Sequence, residues 1–237
     1  YAGGAFTAAG DGAANRIAKW DGASWLSLGT GVDNNVSALE VDSSGNLYVG
    51  GNFTMAGGIA VNCIARWDGE SWHALGKGID SIFFNYDIGL GPHTHYAKVL
   101  ALACDNSGTL YVGGDFSKAG GIPAYCIAQW DGSSWDSLSA GVMETDSSHV
   151  LDHPTVYSLY CDKNGALYAG GYFNRAGKDN YVRNIGLWDG SKWAHLGNGL
   201  TRTVMAVAGN LAGNLYASCY NKKYGNDTAT CIAQWNG

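Results

Sequence analysis

The chain repeats itself. Tyr-x-Gly-Gly occurs at Tyr1, Tyr48, Tyr111 and Tyr168, and a degraded copy begins at Tyr216. The spacings of 47, 63, 57 and 48 residues reduce to one unit of about 47, lengthened in its second and third copies. All nine Trp fall in a second motif, Trp-[Asp/Asn]-Gly-x-x-Trp, as Trp20/Trp25, Trp67/Trp72, Trp130/Trp135, Trp188/Trp193 and the final Trp235. A fixed period of this length means that one supersecondary unit is stacked on copies of itself.

Within one unit, four short apolar or alternating runs are parted by turn residues. They are VSALEVD from Val36, LYVGGNF from Leu47, CIARWD from Cys63 and SWHALG from Ser71. Ser-Ser-Gly, Ala-Gly-Gly and Asp-Gly between them are strand punctuation. Four-stranded units of 40–50 residues are the mark of β-propeller blades. The expected fold is therefore an all-β propeller, one domain over residues 1–237, with units beginning near 1, 48, 111, 168 and 216. The first run of the unit suits the crowded innermost strand a; the Trp-bearing run is the outer and more exposed strand d. Eighteen strands are predicted, five blades with one strand missing from each terminal blade. The chain begins at Tyr1 rather than Met, which reads as a processed product or a piece of a longer array.

Composition agrees. The 36 Gly are costly inside helices. Hydrophobic residues at 46% and aromatics at 12% supply a core, which excludes disorder. No apolar run approaches the roughly 18 residues of a membrane span. The net charge of −6 carries no basic block, which argues against nucleic acid and anionic membrane as partners. There is no Gly-x-Ser-x-Gly elbow, no phosphate-cradling loop and no His-Glu-x-x-His.

The run YVGGDFSKAGGIPAYCIAQWDGSSWDSLSAGV, Tyr111 to Val142, resembles a family of propeller repeats found in secreted and cell-surface bacterial proteins, and related repeats occur in fungal cortical cell-polarity proteins. The resemblance covers essentially the whole chain and implies the propeller and a secreted or cell-surface location. It brings no catalytic residues with it. The last unit departs from the pattern at YASCYNKKYG.

Residues present in every unit are explained by packing in every unit; a site used once needs residues that occur once. Trp supplies area between sheets, Gly-Gly permits close approach and Asp-Gly closes a hairpin. An array of Trp-lined sugar pockets, one per blade, is the alternative. Of the six Cys, Cys63, Cys126 and Cys231 precede Ile-Ala, Cys104 and Cys161 precede Asp, and none forms Cys-x-x-Cys. Repeated positions again point to packing as small hydrophobes. Cys219 and Cys231 share one b–c hairpin and are expected to form a disulfide in an oxidising compartment. Sequons at Asn35, Asn52 and Asn226 are chance products of a Gly- and Ser-rich chain.

Two insertions replace short d-to-a connections, Gly78–Lys98 and Gly141–Thr155. Both should leave on the face that also carries the b-to-c loops, near the mouth of the channel. They hold His93, His95, His149 and His153, a set able to ligate zinc or a similar divalent metal. Tyr96, Glu144 and Asp152 stand beside them as ligand-binding residues. The leading expectation is a binding module, more a recognition domain than an enzyme, taking glycan or protein through this loop face. A metal-dependent enzyme with the His cluster at the channel mouth, and a structural unit of a larger surface or filament protein, are the alternatives.

Overall fold

The computed structural model describes residues 1–80, 96–145, 153–178, 180–219 and 231–236, with Cys231 described by its backbone alone. In chain order the first unit holds β1 (Ala2–Gly3), the small hairpin β2 (Ala8–Ala9) and β3 (Gly12–Ala13), then β4 (Ile17–Trp20) and β5 (Trp25–Ser27). The second holds β6 (Val36–Val41), β7 (Leu47–Gly51), the hairpin β8 (Met55–Ala56) and β9 (Ile59–Ala60), β10 (Ile64–Trp67), β11 (Trp72–Ala74) and the connecting β12 (Ile79–Asp80). The third runs through β13 (Lys98–Cys104), β14 (Leu110–Asp115), β15 (Lys118–Ala119), β16 (Ile122–Pro123), β17 (Ile127–Trp130), β18 (Trp135–Ser137) and β19 (Val142–Met143). The fourth comprises β20 (Thr155–Cys161), β21 (Leu167–Tyr172), β22 (Arg175–Ala176), β23 (Asn180–Tyr181), β24 (Ile185–Trp188) and β25 (Trp193–His195). The fifth has β26 (Val204–Gly209), β27 (Leu215–Cys219) and β28 (Cys231–Trp235).

Every pairing of these strands is antiparallel, and the described residues contain no helix. The main sheets are β1-β4-β5, then three four-stranded sheets (β6-β7-β10-β11, β13-β14-β17-β18 and β20-β21-β24-β25), then β26-β27-β28. These are the eighteen predicted strands in the predicted order. Innermost strands stack in sequence, β1 on β6, β6 on β13, β13 on β20 and β20 on β26. That is β-propeller architecture.

The first Gly of each pair shows how tightly the sheets stack. A Cβ on Gly3, Gly50, Gly113 or Gly170 would stand 2.3–2.5 Å from a Cγ of the next sheet's Val36, Val99, Val156 or Val204. No real Cβ fits there, so the close approach of sheets requires Gly. The second Gly serves its own sheet. A Cβ on Gly51, Gly114 or Gly171 would lie 2.0 Å from the carbonyl oxygen of Asn35, Lys98 or Thr155, where strand a bulges.

The second Trp of each motif ties a sheet to the one before it. Trp72 Nε1 donates to the Leu28 carbonyl at 3.0 Å, Trp135 Nε1 to Leu75 at 2.8 Å and Trp193 Nε1 to Leu138 at 2.9 Å. These indoles are buried, at 7%, 9% and 3% exposure. The expectation of an exposed outer strand fails for its Trp: the strand is outermost, but its indole turns inward beneath the neighbouring sheet's edge. Buried Trp with its N–H satisfied is a strong packing contribution. Asp after the first Trp caps the turn. Asp131 Oδ1 accepts the amides of Ser133 and Ser134, and Asp21, Asp68 and Asp189 repeat the arrangement. Backbone amide hydrogen bonds hold all four carboxyls below their usual pKa.

Candidate functional site

The loop face is built from two kinds of segment. Between strands b and c, each unit from the first to the fourth folds a small hairpin over its own outer strand: β2-β3 against β5, β9 against β11, β16 against β18, β23 against β25. The connection leaving the preceding sheet is sewn onto that hairpin. β12 pairs with β15, β19 pairs with β22, and Val32 bridges Ala56. Two-residue strands of this kind carry no periodicity, which is why sequence patterning passed over them. Each insertion therefore starts at the outer rim, held by the next unit's hairpin, and its last described residues lead into the innermost strand of the next sheet.

The residue opening strand c fixes these connections. Arg16, Cys63, Cys126 and Asn184 occupy the left-handed region, with φ of 66°, 61°, 63° and 61°. From that position each side chain reaches a carbonyl on the path to the next sheet. Cys63 Sγ donates to Ala97 at 3.2 Å, Cys126 Sγ to Pro154 at 3.0 Å, Asn184 Nδ2 to Leu200 at 2.9 Å and Arg16 Nη1 to Val32 at 3.3 Å. Burial, with nearby carboxylates, pushes the Cys63 thiol up to about 12, and burial does the same to Cys126. Thiols so protonated are donors and not nucleophiles. Cys63 and Cys126 thus pack as expected, with a hydrogen-bonding duty that spacing did not reveal. Cys104 and Cys161 at the ends of strands a are unbonded, and burial lifts each to about 12.

Where the connection after β19 crosses the hairpin β22-β23, the face opens into a cleft of about 410 Å³. Its walls include Glu144, Tyr172, Asn174, Tyr181, Arg183 and Thr201. Asn174, 7% exposed, organises the floor. Its backbone amide donates to the Met143 carbonyl at 3.0 Å, its Oδ1 accepts the amide and hydroxyl of Thr145 at 3.1 and 3.2 Å, and its Nδ2 donates to Glu144 Oε1 at 2.8 Å. Arg183 lies over the Tyr181 ring, its guanidinium carbon 5.7 Å from the centroid, and its Nε donates to the Tyr181 hydroxyl at 3.4 Å. Tyr181 keeps 46% of its surface exposed. The cleft thus sets a partly exposed tyrosine ring beside a carboxylate, a guanidinium and hydroxyls.

These residues break the repeat. At the position of Tyr181 the earlier units carry Ala13, Ala60 and Pro123; at Tyr172 they carry Ala5, Asn52 and Asp115; at Asn174 they carry Thr7, Thr54 and Ser117. Sequence reasoning sought single-use residues in the insertions and missed those substituted inside a unit. Aligning the units position by position exposes them.

Of the residues expected to form the site, Glu144 is in the cleft. Tyr96 is 74% exposed just before β13. His153 is half-buried just before β20, and its carbonyl accepts the Thr155 hydroxyl at 3.2 Å. His93, His95, His149 and Asp152 lie outside the described residues. Among the described residues no group of three His, Cys, Asp or Glu is arranged to hold a metal ion. Cys219 and Cys231 stand directly opposite each other in the β27–β28 register, the placement expected from the shared hairpin; the Cys231 side chain is outside the description.

No protein-family model and no curated protein matches the chain. Solved structures do. The extracellular domain of a protein described as a one-component system of B. thetaiotaomicron is 12% identical with a TM-score of 0.48, over 90% of this chain and 23% of that one. The GH74 xyloglucanase from Xanthomonas campestris is 14% identical at a TM-score of 0.43, over 88% and 37%. A structure of YCF48 bound to D1 peptide is 10% identical at 0.42, over 84% and 51%. This chain spans less than two thirds of each of those chains. The propeller assignment rests on the strand order above.

Proposed function

We propose that this chain is a secreted or cell-surface recognition module of the bacterial propeller-repeat type, and that it takes a glycan in the cleft of Glu144, Tyr172, Asn174, Tyr181, Arg183 and Thr201. The observation that carries the reading is the coincidence of cleft and asymmetry: the unit that carries Tyr181 where the three before it have Ala or Pro also supplies a guanidinium and an ordered amide, and the connection from the preceding sheet brings the Glu144 carboxylate beside them. An exposed aromatic face covers the apolar side of a sugar ring, and the flanking polar groups meet its hydroxyls, the few fixed polar contacts that orient a ligand in such a cleft. In the middle sheets the second Trp of the motif is unsuited to the one-pocket-per-blade alternative, since Trp72, Trp135 and Trp193 are buried between sheets with their N–H groups already donating.

Calorimetric titration against a panel of soluble oligosaccharides tests the reading. Saturable binding of at least one is expected, weakened tenfold or more by Tyr181→Ala with the melting temperature unchanged. Binding indifferent to that substitution, or no binding across the panel, rejects the glycan cleft. A protein ligand that binds through the same face without competition from any oligosaccharide would replace it.

A further inference from the structure

The chain carries a net charge of −6, yet residues 175–202 hold five of its 14 Lys and Arg against two acidic residues, Asp179 and Asp189. Two of those five flank Tyr181. Arg175 is its direct partner across the β22-β23 hairpin, and residues so paired project from one face of the ladder. Arg183 follows Tyr181 by two residues and lays its guanidinium over the ring. Each arginine is fixed through Nε. Arg175 donates to Thr145 Oγ1 at 3.2 Å, a hydroxyl itself bonded to Asn174 Oδ1 in the cleft floor, and Arg183 donates to the Tyr181 hydroxyl at 3.4 Å. Among the described residues the terminal nitrogens of both have no acceptor, and neither guanidinium lies within ion-pair distance of a carboxylate.

The earlier units show that the hairpin folds without this arrangement. At the same three positions they carry Ala8, Ala13 and Asn15, then Met55, Ala60 and Asn62, then Lys118, Pro123 and Tyr125. Asn15 and Asn62 serve the fold there, donating to the Thr30 and Lys77 carbonyls of the outgoing connection at 2.9 and 2.8 Å. Arg183 has left that duty and turned to Tyr181. Glu144 is the carboxylate in the cleft wall. Its Oε1 accepts Asn174 Nδ2, and it stands outside ion-pair distance of both arginines, so it orders the floor and leaves their charge standing.

We infer that the cleft takes an acidic glycan, a sugar whose carboxylate or sulfate ester meets the terminal nitrogens of Arg175 and Arg183 while its ring lies beside Tyr181. The inference rests on the glycan reading above and names the class of glycan. Guanidinium N–H groups bind oxyanions in parallel pairs, through charge-assisted hydrogen bonds stronger than those between neutral groups. A neutral sugar would leave two fixed cations without a counter-charge. An acidic one supplies it, and the Nε bonds already hold both forks in place before the ligand arrives.

The test is calorimetric titration of the whole chain with matched pairs of oligosaccharides. Oligomers of galacturonate, glucuronate and mannuronate are each set beside their methyl esters, and a sulfated oligosaccharide beside its desulfated form. At least one acidic member is expected to bind about tenfold or more tightly than its neutral twin. The pair that shows the gap tells carboxylate from sulfate. The double variant Arg175→Gln, Arg183→Gln should close the gap, and Arg183→Lys, which keeps the charge and loses the fork, should restore only part of it. The comparison of twins needs no variant and stands if the double variant misfolds. Twins that bind alike overturn the inference and leave the glycan cleft intact, whereas no binding by any member, acidic or neutral, rejects both. A gap that survives in the folded double variant places the anion elsewhere and overturns the inference. So does an oligoglutamate peptide that binds through the two arginines more tightly than every sugar, since the cleft would then belong to an acidic protein segment.

Discussion

The middle sheets and the last sheet are built from the same unit and differ in what each must meet. In the middle sheets strand b carries Gly-Gly, because the next sheet's Val stands where a Cβ would be. In the last sheet the same two positions are Ser218 and Cys219. Ile64 and Ile127 of strand c are fully buried, whereas their counterpart Ile232 is 73% exposed. The first glycine of the pair is therefore a property of the contact between neighbouring sheets and not of the strand that contains it. Where that contact is absent from the described residues, the side chain returns. The first sheet shows the converse for Trp. Trp25 has no preceding sheet in the described structure and is 37% exposed, while Trp135 in the same motif is buried.

The sharpest way to break this comparison is to truncate the two tryptophans. Trp135→Ala removes a buried indole and one of the two hydrogen bonds on the Leu75 carbonyl, and should cost about 3–5 kcal/mol in denaturant unfolding. Trp25→Ala should cost under about 1 kcal/mol, in the range of surface substitutions. Equal losses would mean that the indole serves its own hairpin rather than the contact between sheets.

Next comes the glycine contrast. Gly113→Ala forces a methyl to within 2.5 Å of Val156 Cγ1, a clash that should cost about 1–3 kcal/mol or more. Ser218→Ala at the matching position should stay within about 0.5 kcal/mol. Comparable effects at the two sites would place the requirement for Gly in strand geometry.

Acid should expose a weaker dependence shared by the units. The turn carboxyls of Asp21, Asp68, Asp131 and Asp189 are depressed in the folded state by backbone amides. Their contribution is fully present above the unfolded value near 3.9 and is lost as pH falls through the lower folded values. Melting temperature should hold level down to about pH 4 and decline below it. Asp131→Asn should flatten part of that decline, and an unchanged profile would remove the turn carboxyls from the account.

The smallest effect is predicted at strand c. Cys126→Asn recreates what Asn184 already does, a left-handed residue donating to the next connection. Asn tolerates that backbone better than Cys. Stability should change by under about 1 kcal/mol, whereas Cys126→Val, with no donor and a branched Cβ at φ 63°, should lose clearly more.

The propeller was legible because period, turn chemistry and strand alternation are local properties repeated five times, so each copy corrects the others. Strand count, strand order and the packing role of Trp, Gly and Cys follow from that repetition. The site was only partly legible. Glu144 was found because it lies in an insertion, and length stands out in a repeat. Tyr172, Asn174, Tyr181 and Arg183 are substitutions without added length, except for the single extra residue between Gly177 and Asn180.

What the chain determined by itself is the unit and the residues that punctuate it, since hydrophobic alternation and turn preference act over a few neighbours. What only the tertiary structure decided is which repeated residue answers to which neighbour. The second Trp reaches back to a Leu carbonyl 44 to 60 residues earlier. The left-handed Cys reaches forward 28 to 34 residues to the connection that feeds the next sheet. The Glu144–Asn174 contact that shapes the cleft spans 30. Contacts at such separations depend on how sheets stack. Stacking is fixed by steric fit between surfaces that no local window of sequence contains.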